Sequence, residues 1–147
     1  MKEVGMGRIS GPFSTAEETG LDSLIISPIG LVPKPSGGER LIHHLSHPWG
    51  SGVNAYIDDE EARVSYASFD QALKIVASYG VGAAMAKLDV KSAYRLLPMR
   101  ESDFQFLGFH IQGTVFVDKM APMGAKISAS HWECFRNYVY RWKVSEE

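Results

Sequence analysis

The stretch AMAKLDVKSAYRLLPM, residues 84–99, places an aspartate in the middle of a run that has the composition of a buried strand. Successive side chains of a strand point to opposite faces, so Asp89 would face outward while Leu88 and Val90 pack against the interior. A carboxylate at the rigid end of a strand, beside backbone carbonyl groups, is well placed to bind a metal ion. The alternative is that Asp89 caps the turn that follows it. This stretch alone leaves both roles open.

The composition is that of one globular domain. The chain has 147 residues, of which 45% are hydrophobic and 22% charged. A net charge of −2 gives no support to nucleic-acid binding, which usually comes with a basic surface, although a local basic patch is compatible with it. No apolar run reaches the roughly 18 residues of a membrane span, so no membrane association is expected. The single cysteine, Cys134, excludes an internal disulfide and favours an intracellular location, in the cytoplasm or nucleus.

In the first half of the chain, local signals predict a hairpin after a lead-in. Residues 1–22 are rich in Gly, Ser and Glu, which predicts loop. SLIISPIGLVPK, residues 23–34, predicts a strand that is bent where a proline and a glycine interrupt it. PSGG, residues 35–38, is a turn signal, and ERLIHHLS, residues 39–46, predicts the returning strand.

The second half mixes helices with strands. SFDQALKIVASYG, residues 68–80, predicts a helix with a capping box at its start and a glycine cap at its end. AAMAKLDV, residues 83–90, predicts a strand, and residues 103–120 predict a second hairpin that turns at a Gln-Gly pair. Residues 125–143 predict a long amphipathic helix. Because strand and helix do not alternate regularly, the predicted fold class is α+β.

Four segments carry a resemblance to a known family. LVPKPSGGERLIHHLS, KLDVKSAYRLLPM, FLGFHIQGTVFVDKM and APMGAKISA occur in this order between residues 31 and 129. They resemble the fingers and palm segments of reverse transcriptases, most closely those of DIRS-type retrotransposons. The resemblance runs from about Gly7 to Phe135, and LDVKSAYRLLP and MGAKIS are its most specific parts. It implies a fingers hairpin and a partial palm, in which an antiparallel sheet packs on two helices.

The resemblance also implies a division of the chain and a metal site. Residues 1–22 would be a lead-in segment, residues 23–82 a fingers-like subdomain and residues 83–147 a partial palm. Asp89 is similar to the catalytic aspartate of the palm that binds both magnesium ions. Val90 is similar to the neighbour whose backbone carbonyl also contacts the metal. Magnesium prefers such hard oxygen ligands, and two ions of this kind activate the primer hydroxyl and stabilise the leaving pyrophosphate.

The resemblance further implies a set of residues that contact the incoming nucleotide. They are Lys34, Arg40, Ala93, Tyr94, Met123 and Gly124. The two basic residues would grip the triphosphate, which suits their charge, and a backbone amide at the alanine would meet it. The tyrosine would pack under the sugar and reject a 2′-hydroxyl, and the Met-Gly turn would lie beneath the nucleotide and primer terminus.

Three departures from the family pattern bear on activity. Met123 stands where many reverse transcriptases have Gln, and a thioether cannot make the hydrogen bonds of an amide. His44 and Ser46 occupy positions where many relatives carry an acid and a second Arg. The second pair of palm aspartates, which normally follows the long helix, has no counterpart, since only KVSEE follows Trp142.

The expected function is therefore that of a fragment of an RNA-directed DNA polymerase, inactive alone because it carries one catalytic aspartate. The resemblance implies an RNA or DNA template-primer and a deoxynucleoside triphosphate as partners, and the remainder of a longer polymerase as a further one. The alternative is a non-catalytic nucleic-acid-binding or protein-interaction module derived from a retroelement.

Three histidines near the first hairpin suggest a metal site of another kind. Adjacent residues of a strand face opposite sides, so His43 and His44 are poorly placed to bind one ion, even with His47 nearby. No cysteine lies near them to complete a zinc site. The histidines are therefore expected on the surface of a strand.

Overall fold

A computed structural model describes residues 2–35 and 37–144. The five strands are β1 (Ile9–Phe13), β2 (Ile29–Pro33), β3 (Glu39–His43), β4 (Gly108–Ile111) and β5 (Thr114–Asp118). The four α-helices are α1 (Lys2–Gly5), α2 (Asp59–Ala62), α3 (Phe69–Tyr79) and α4 (Ser128–Val144). Short 3-10 helices cover Glu17–Thr19, Val53–Tyr56, Ala93–Leu96 and Glu101–Phe106. Among these described helices, none is both long enough and apolar enough to cross a bilayer.

The core lies on a three-stranded antiparallel sheet with the order β1-β5-β4. Ile9, Phe109 and Phe116 form its buried centre, and the two phenylalanine rings stack with their centroids 5.7 Å apart. Leu41 of the separate β2–β3 hairpin packs against this cluster. The core therefore joins the hairpin to the sheet, which agrees with the predicted α+β class.

Strand β1 contradicts the prediction of loop for residues 1–22. Ile9 and Ser10 pair with Asp118 and Val117 of β5, more than a hundred residues later in the chain. Glycine is required at position 11, because a Cβ on Gly11 would lie 2.7 Å from the Phe116 ring. The Ser-Gly-Pro sequence gives a turn signal locally, and only the distant partner strand makes it extended.

The first hairpin is confirmed over a shorter range than the predicted strands at 23–34 and 39–46. Strands β2 and β3 pair antiparallel, with Val32 opposite Arg40 and Ile29 opposite His43. Because strand side chains alternate, half-buried Leu41 and buried His43 lie on the core side, while Arg40 lies on the other side. The hairpin thus carries its arginine away from the core.

The second hairpin is confirmed over a shorter range. Strands β4 and β5 turn at Gln112 and Gly113, whose φ angles of 50° and 81° match a two-residue turn of left-handed residues. The strand predicted from residue 103 is wrong at its start, because Glu101–Phe106 is a 3-10 helix. Local bonds favour this helix: the Gln105 side chain donates to the carbonyl oxygen of Ser102 at 2.8 Å.

The predicted strand at residues 83–90 is also wrong, because this segment pairs with no strand among the described residues. Leu88 and Val90, expected to be buried, expose 88% and 45% of their surface. Alternation of apolar and charged residues over 86–90 favours an extended chain, but a strand also needs a partner for its backbone groups.

Both long helices are confirmed, but α3 does not pack as expected. Helix α3 has the full Ser68–Gln71 capping box and a Gly80 cap, yet it contains no buried residue. The expectation of a sheet packed on two helices is therefore wrong for α3. Helix α4 contacts α2 and the 3-10 helix Ala93–Leu96.

Candidate functional site

The turn at Met123 and Gly124 docks directly on the end of β3. The backbone N–H of His43 donates to the carbonyl oxygen of Met123 at 2.7 Å. Gly124 has a φ of +124°, and a Cβ on it would collide with the carbonyl oxygen of His43. Glycine is therefore required here by both backbone conformation and space. The structure brings these two predicted residues to the same hairpin that carries Lys34 and Arg40.

Asn54 connects the loop after β3 to this turn. Its Nδ2 donates to Ser46 Oγ at 2.8 Å and to the carbonyl oxygen of Gly124 at 2.9 Å. Its Oδ1 accepts from the backbone N–H of Lys126 at 2.9 Å. The Lys126 ammonium in turn donates to the carbonyl oxygen of Ile57 at 3.0 Å. Sequence analysis missed Asn54, since two of its three partners are 70 and 72 residues away.

The two basic residues of the predicted nucleotide site lie at the exposed end of the first hairpin. The backbone N–H of Lys34 donates to the carbonyl oxygen of Gly38 at 3.0 Å, which closes the tip. The side chains of Lys34 and Arg40 are exposed. Their charges are therefore available to an anionic ligand.

Asp89 lies in the unpaired extended segment and is exposed. Three residues later Ser92 adopts a left-handed conformation with a φ of 56°, which reverses the chain before Ala93. A non-glycine residue in this conformation costs roughly 1–3 kcal/mol and is held by its surroundings. Residues 2–35 and 37–144 contain no group of three or more His, Cys, Asp or Glu able to hold a metal.

Ala93 and Tyr94 begin the 3-10 helix Ala93–Leu96 and are both half-buried. Burial raises the pKa of the Tyr94 hydroxyl, and nearby Tyr66 and Glu133 raise it further.

A buried ion pair fixes this short helix to the sheet. Arg95 Nη1 donates to both carboxylate oxygens of Asp118 at 2.7 Å, and its Nε donates to Glu3 at 3.1 Å. The backbone N–H of Met120 also donates to Asp118, at 3.1 Å. Burial raises the pKa of the Asp118 carboxyl, and the Arg95 guanidinium opposes that rise. Sequence analysis assigned no role to either Asp118 or Arg95.

The expectation that the three histidines lie on a strand surface is wrong for His43. This side chain is 1% exposed, and its Nε2 donates to the carbonyl oxygen of Gly108 at 3.1 Å. Its ring lies edge-on to Phe109, with the centroids 5.4 Å apart. Desolvation lowers the pKa of His43 to about 4. His43 is thus a neutral core residue that joins β3 to β4.

Comparison with known proteins supports the fold. No family profile and no curated protein matches the sequence. Solved structures are similar to the fold, among them the foamy viral protease-reverse transcriptase in complex with double-stranded DNA and the native Prototype Foamy Virus protease-reverse transcriptase. The fold is reverse-transcriptase-like.

The likeness covers most of this chain but a small part of those proteins. The TM-scores are 0.56 and 0.55, each at 17% sequence identity, over 88% and 90% of this chain. The chain spans 20% and 15% of the two viral proteins.

Proposed function

We propose that this chain is the fingers and first palm segment of an RNA-directed DNA polymerase of the DIRS retrotransposon type. Residues 23–82 would form the fingers and residues 83–147 the partial palm, after a lead-in at residues 1–22. The observation that carries the proposal is the structural likeness to viral reverse transcriptases over 88–90% of the chain. The ordered motifs between residues 31 and 129 support it independently of the structure.

The proposed ligand of the chain by itself is a deoxynucleoside triphosphate. Lys34 and Arg40 are exposed cations on one hairpin, and this hairpin is bonded through His43 to the Met123–Gly124 turn. A planar guanidinium suits a phosphate group, to which it can donate two parallel hydrogen bonds. Tyr94, half-buried in the 3-10 helix Ala93–Leu96, would supply the flat wall for the sugar.

Nucleotidyl transfer by this chain alone is not part of the proposal. In this family magnesium would supply charge neutralisation and primer activation, but the described residues offer no cluster of three potential ligands. Asp89 and the Val90 carbonyl would provide one side of such a site. The other carboxylates would come from the remainder of a longer polymerase, which would also cover exposed apolar residues such as Leu88. A template-primer would then bind across both parts.

The absence of a carboxylate cluster among the described residues favours a second candidate function. In that case the chain is a non-catalytic module that keeps the fold and binds nucleic acid or protein. The two candidate functions differ in whether the chain binds a deoxynucleoside triphosphate.

The test is titration of the chain with a fluorescent deoxynucleoside triphosphate at low salt, followed by fluorescence anisotropy. We expect saturable binding that Arg40→Ala weakens at least fivefold, because a cation in direct contact with the triphosphate is lost. Arg63→Ala is the matched control, since Arg63 is an exposed arginine paired only with nearby Glu60. Absence of saturable binding, or equal losses in the two variants, would favour the non-catalytic module.

A further inference from the structure

The Asn54 amide is the strongest unassigned feature of the molecule, because it bonds two parts of the chain that are distant in sequence. We infer that Asn54 is the positioning residue that fixes the Met123–Gly124 turn relative to the first hairpin, and that it thereby sets nucleotide affinity. The second part of this inference rests on the proposed function. The group of Ser46, Asn54, Gly124 and Lys126 is called the Asn54 clamp below.

Asn54 is itself held rigidly on the hairpin side of the clamp. Its backbone N–H donates to the carbonyl oxygen of Leu45 at 2.9 Å, and Leu45 is only 1% exposed. Gly52 brings the loop close, since a Cβ there would lie 2.7 Å from the same carbonyl oxygen. The side chain is also half-buried and tied to Ser46. The amide is therefore presented from a fixed base.

The turn on the other side of the clamp is closed locally by a long bond, from the backbone N–H of Ala125 to the carbonyl oxygen of Pro122 at 3.4 Å. Met123 and Gly124 lie between β5 and α4, outside any helix or strand. Bonds to other parts of the chain hold it, from the His43 N–H to Met123 and from Asn54 to Gly124 and Lys126. Two of these three bonds belong to one side chain. Loss of Asn54 should therefore release the turn while β4–β5 stays paired.

Only an amide side chain fits all partners of the clamp. Gly124 offers a carbonyl oxygen and needs a donor, whereas Lys126 offers an N–H and needs an acceptor. Asparagine supplies both from one planar group. Aspartate of the same size would keep the acceptor for Lys126 but would place an oxygen against the Gly124 carbonyl. Asn54→Ala and Asn54→Asp thus separate the two halves of the clamp.

The experiment is residue-resolved hydrogen exchange on the whole chain, with nucleotide binding measured on the same samples. In Asn54→Ala we expect the amides of Lys126 and His43 to exchange at least tenfold faster, while amides of β4 and β5 keep their rates. In Asn54→Asp the Lys126 amide should keep most of its protection. Asn137→Ala is the matched control, because Asn137 is exposed on α4 and bonds only its neighbour Arg136.

Nucleotide affinity gives the second measurement. We expect Asn54→Ala and Asn54→Asp each to weaken triphosphate binding at least fivefold, with no change in Asn137→Ala. Unchanged exchange at Lys126 in Asn54→Ala would overturn the positioning role, whatever the wild-type chain binds. Faster exchange with unchanged affinity would overturn the link to the nucleotide. If the wild-type chain binds no triphosphate, the proposed function fails, and the link between Asn54 and nucleotide affinity fails with it. The hydrogen-exchange rates still test whether Asn54 positions the Met123–Gly124 turn.

Discussion

At the scale of single residues, buried polar groups join segments that are far apart in the chain. The ion pair between Arg95 and Asp118 connects the 3-10 helix Ala93–Leu96 to β5, and the buried His43 side chain connects β3 to β4. Each contact satisfies groups that would be costly to bury alone. The positions of the residues predicted to bind a nucleotide therefore depend on neighbouring residues outside that predicted set.

Replacement of Arg95 by methionine should destabilise the fold strongly. The change keeps an unbranched apolar stem but removes the guanidinium group, which leaves the Asp118 carboxylate, 2% exposed, without its cation. Removal of one partner from a buried pair costs about 3–5 kcal/mol. Urea unfolding followed by circular dichroism measures the loss.

The matched control for this change is Arg63→Met, which removes an exposed ion pair between side chains that are 72% and 76% exposed. Such a pair contributes about 0.2–1 kcal/mol at most. Equal losses in the two variants would show that the Arg95 pair does not hold the fold.

His43 should make the fold sensitive to acid. Its pKa is about 4 in the folded chain and 6.5 when unperturbed, so the unfolded chain binds more protons between these values. The free energy of unfolding is thus fully retained above pH 6.5 and falls by about 3 kcal/mol as the pH drops to 4. Urea unfolding across this pH range measures the slope.

Carboxylates also titrate in this range, so the prediction concerns the difference between the wild-type chain and a His43 variant in how the free energy of unfolding changes with pH. His43→Gln should remove this part of the slope, whereas His110→Gln, at an exposed position on β4, should keep it. A His43→Gln variant with the wild-type slope would contradict the assignment.

At the scale of elements, local signals predicted those parts of the fold that local interactions determine. Both hairpins, the capping box of α3 and the long helix α4 follow from turn residues, caps and apolar periodicity. Strand β1 was missed because its partner is more than a hundred residues away. In the candidate site, the positions of Met123 and Gly124 depend on Asn54 and His43, which no local pattern connects to them. The bond between Arg95 and Asp118 escaped prediction for the same reason.

The extended segment at residues 83–90 should tolerate truncation of its apolar side chains. Leu88 is 88% exposed, so Leu88→Ala should change the free energy of unfolding by less than about 0.5 kcal/mol. Leu45→Ala, at a position 1% exposed, should cost about 2–5 kcal/mol. Chemical unfolding of the two variants gives the comparison. A loss above 1 kcal/mol for Leu88→Ala would mean that this segment packs against the chain after all.

At the scale of the whole molecule, apolar residues are exposed along one continuous part of the chain. From α3 into the extended segment the side chains that are at least half exposed are Phe69, Leu73, Ile75, Tyr79, Val81, Met85 and Leu88. Exposed apolar surface of this kind usually marks a contact with another protein segment. It agrees with the proposal that the chain works as part of a longer polymerase, since the chain spans only 15–20% of the viral proteins it resembles.

Primer extension tests the proposal at this scale. With Mg²⁺ or Mn²⁺, a template-primer and all four triphosphates, the chain alone should incorporate no more nucleotide than its Asp89→Ala variant. The physical reason is that the described residues hold no cluster of three potential ligands around Asp89, while transfer needs two metal ions held together. Incorporation well above the Asp89→Ala background would contradict this prediction. It would show that one exposed carboxylate suffices or that other residues of the chain complete the site. Addition of a polypeptide that supplies the second carboxylate pair should restore extension only when Asp89 is present. This result would distinguish a catalytic centre that another polypeptide can complete from one that has lost its function.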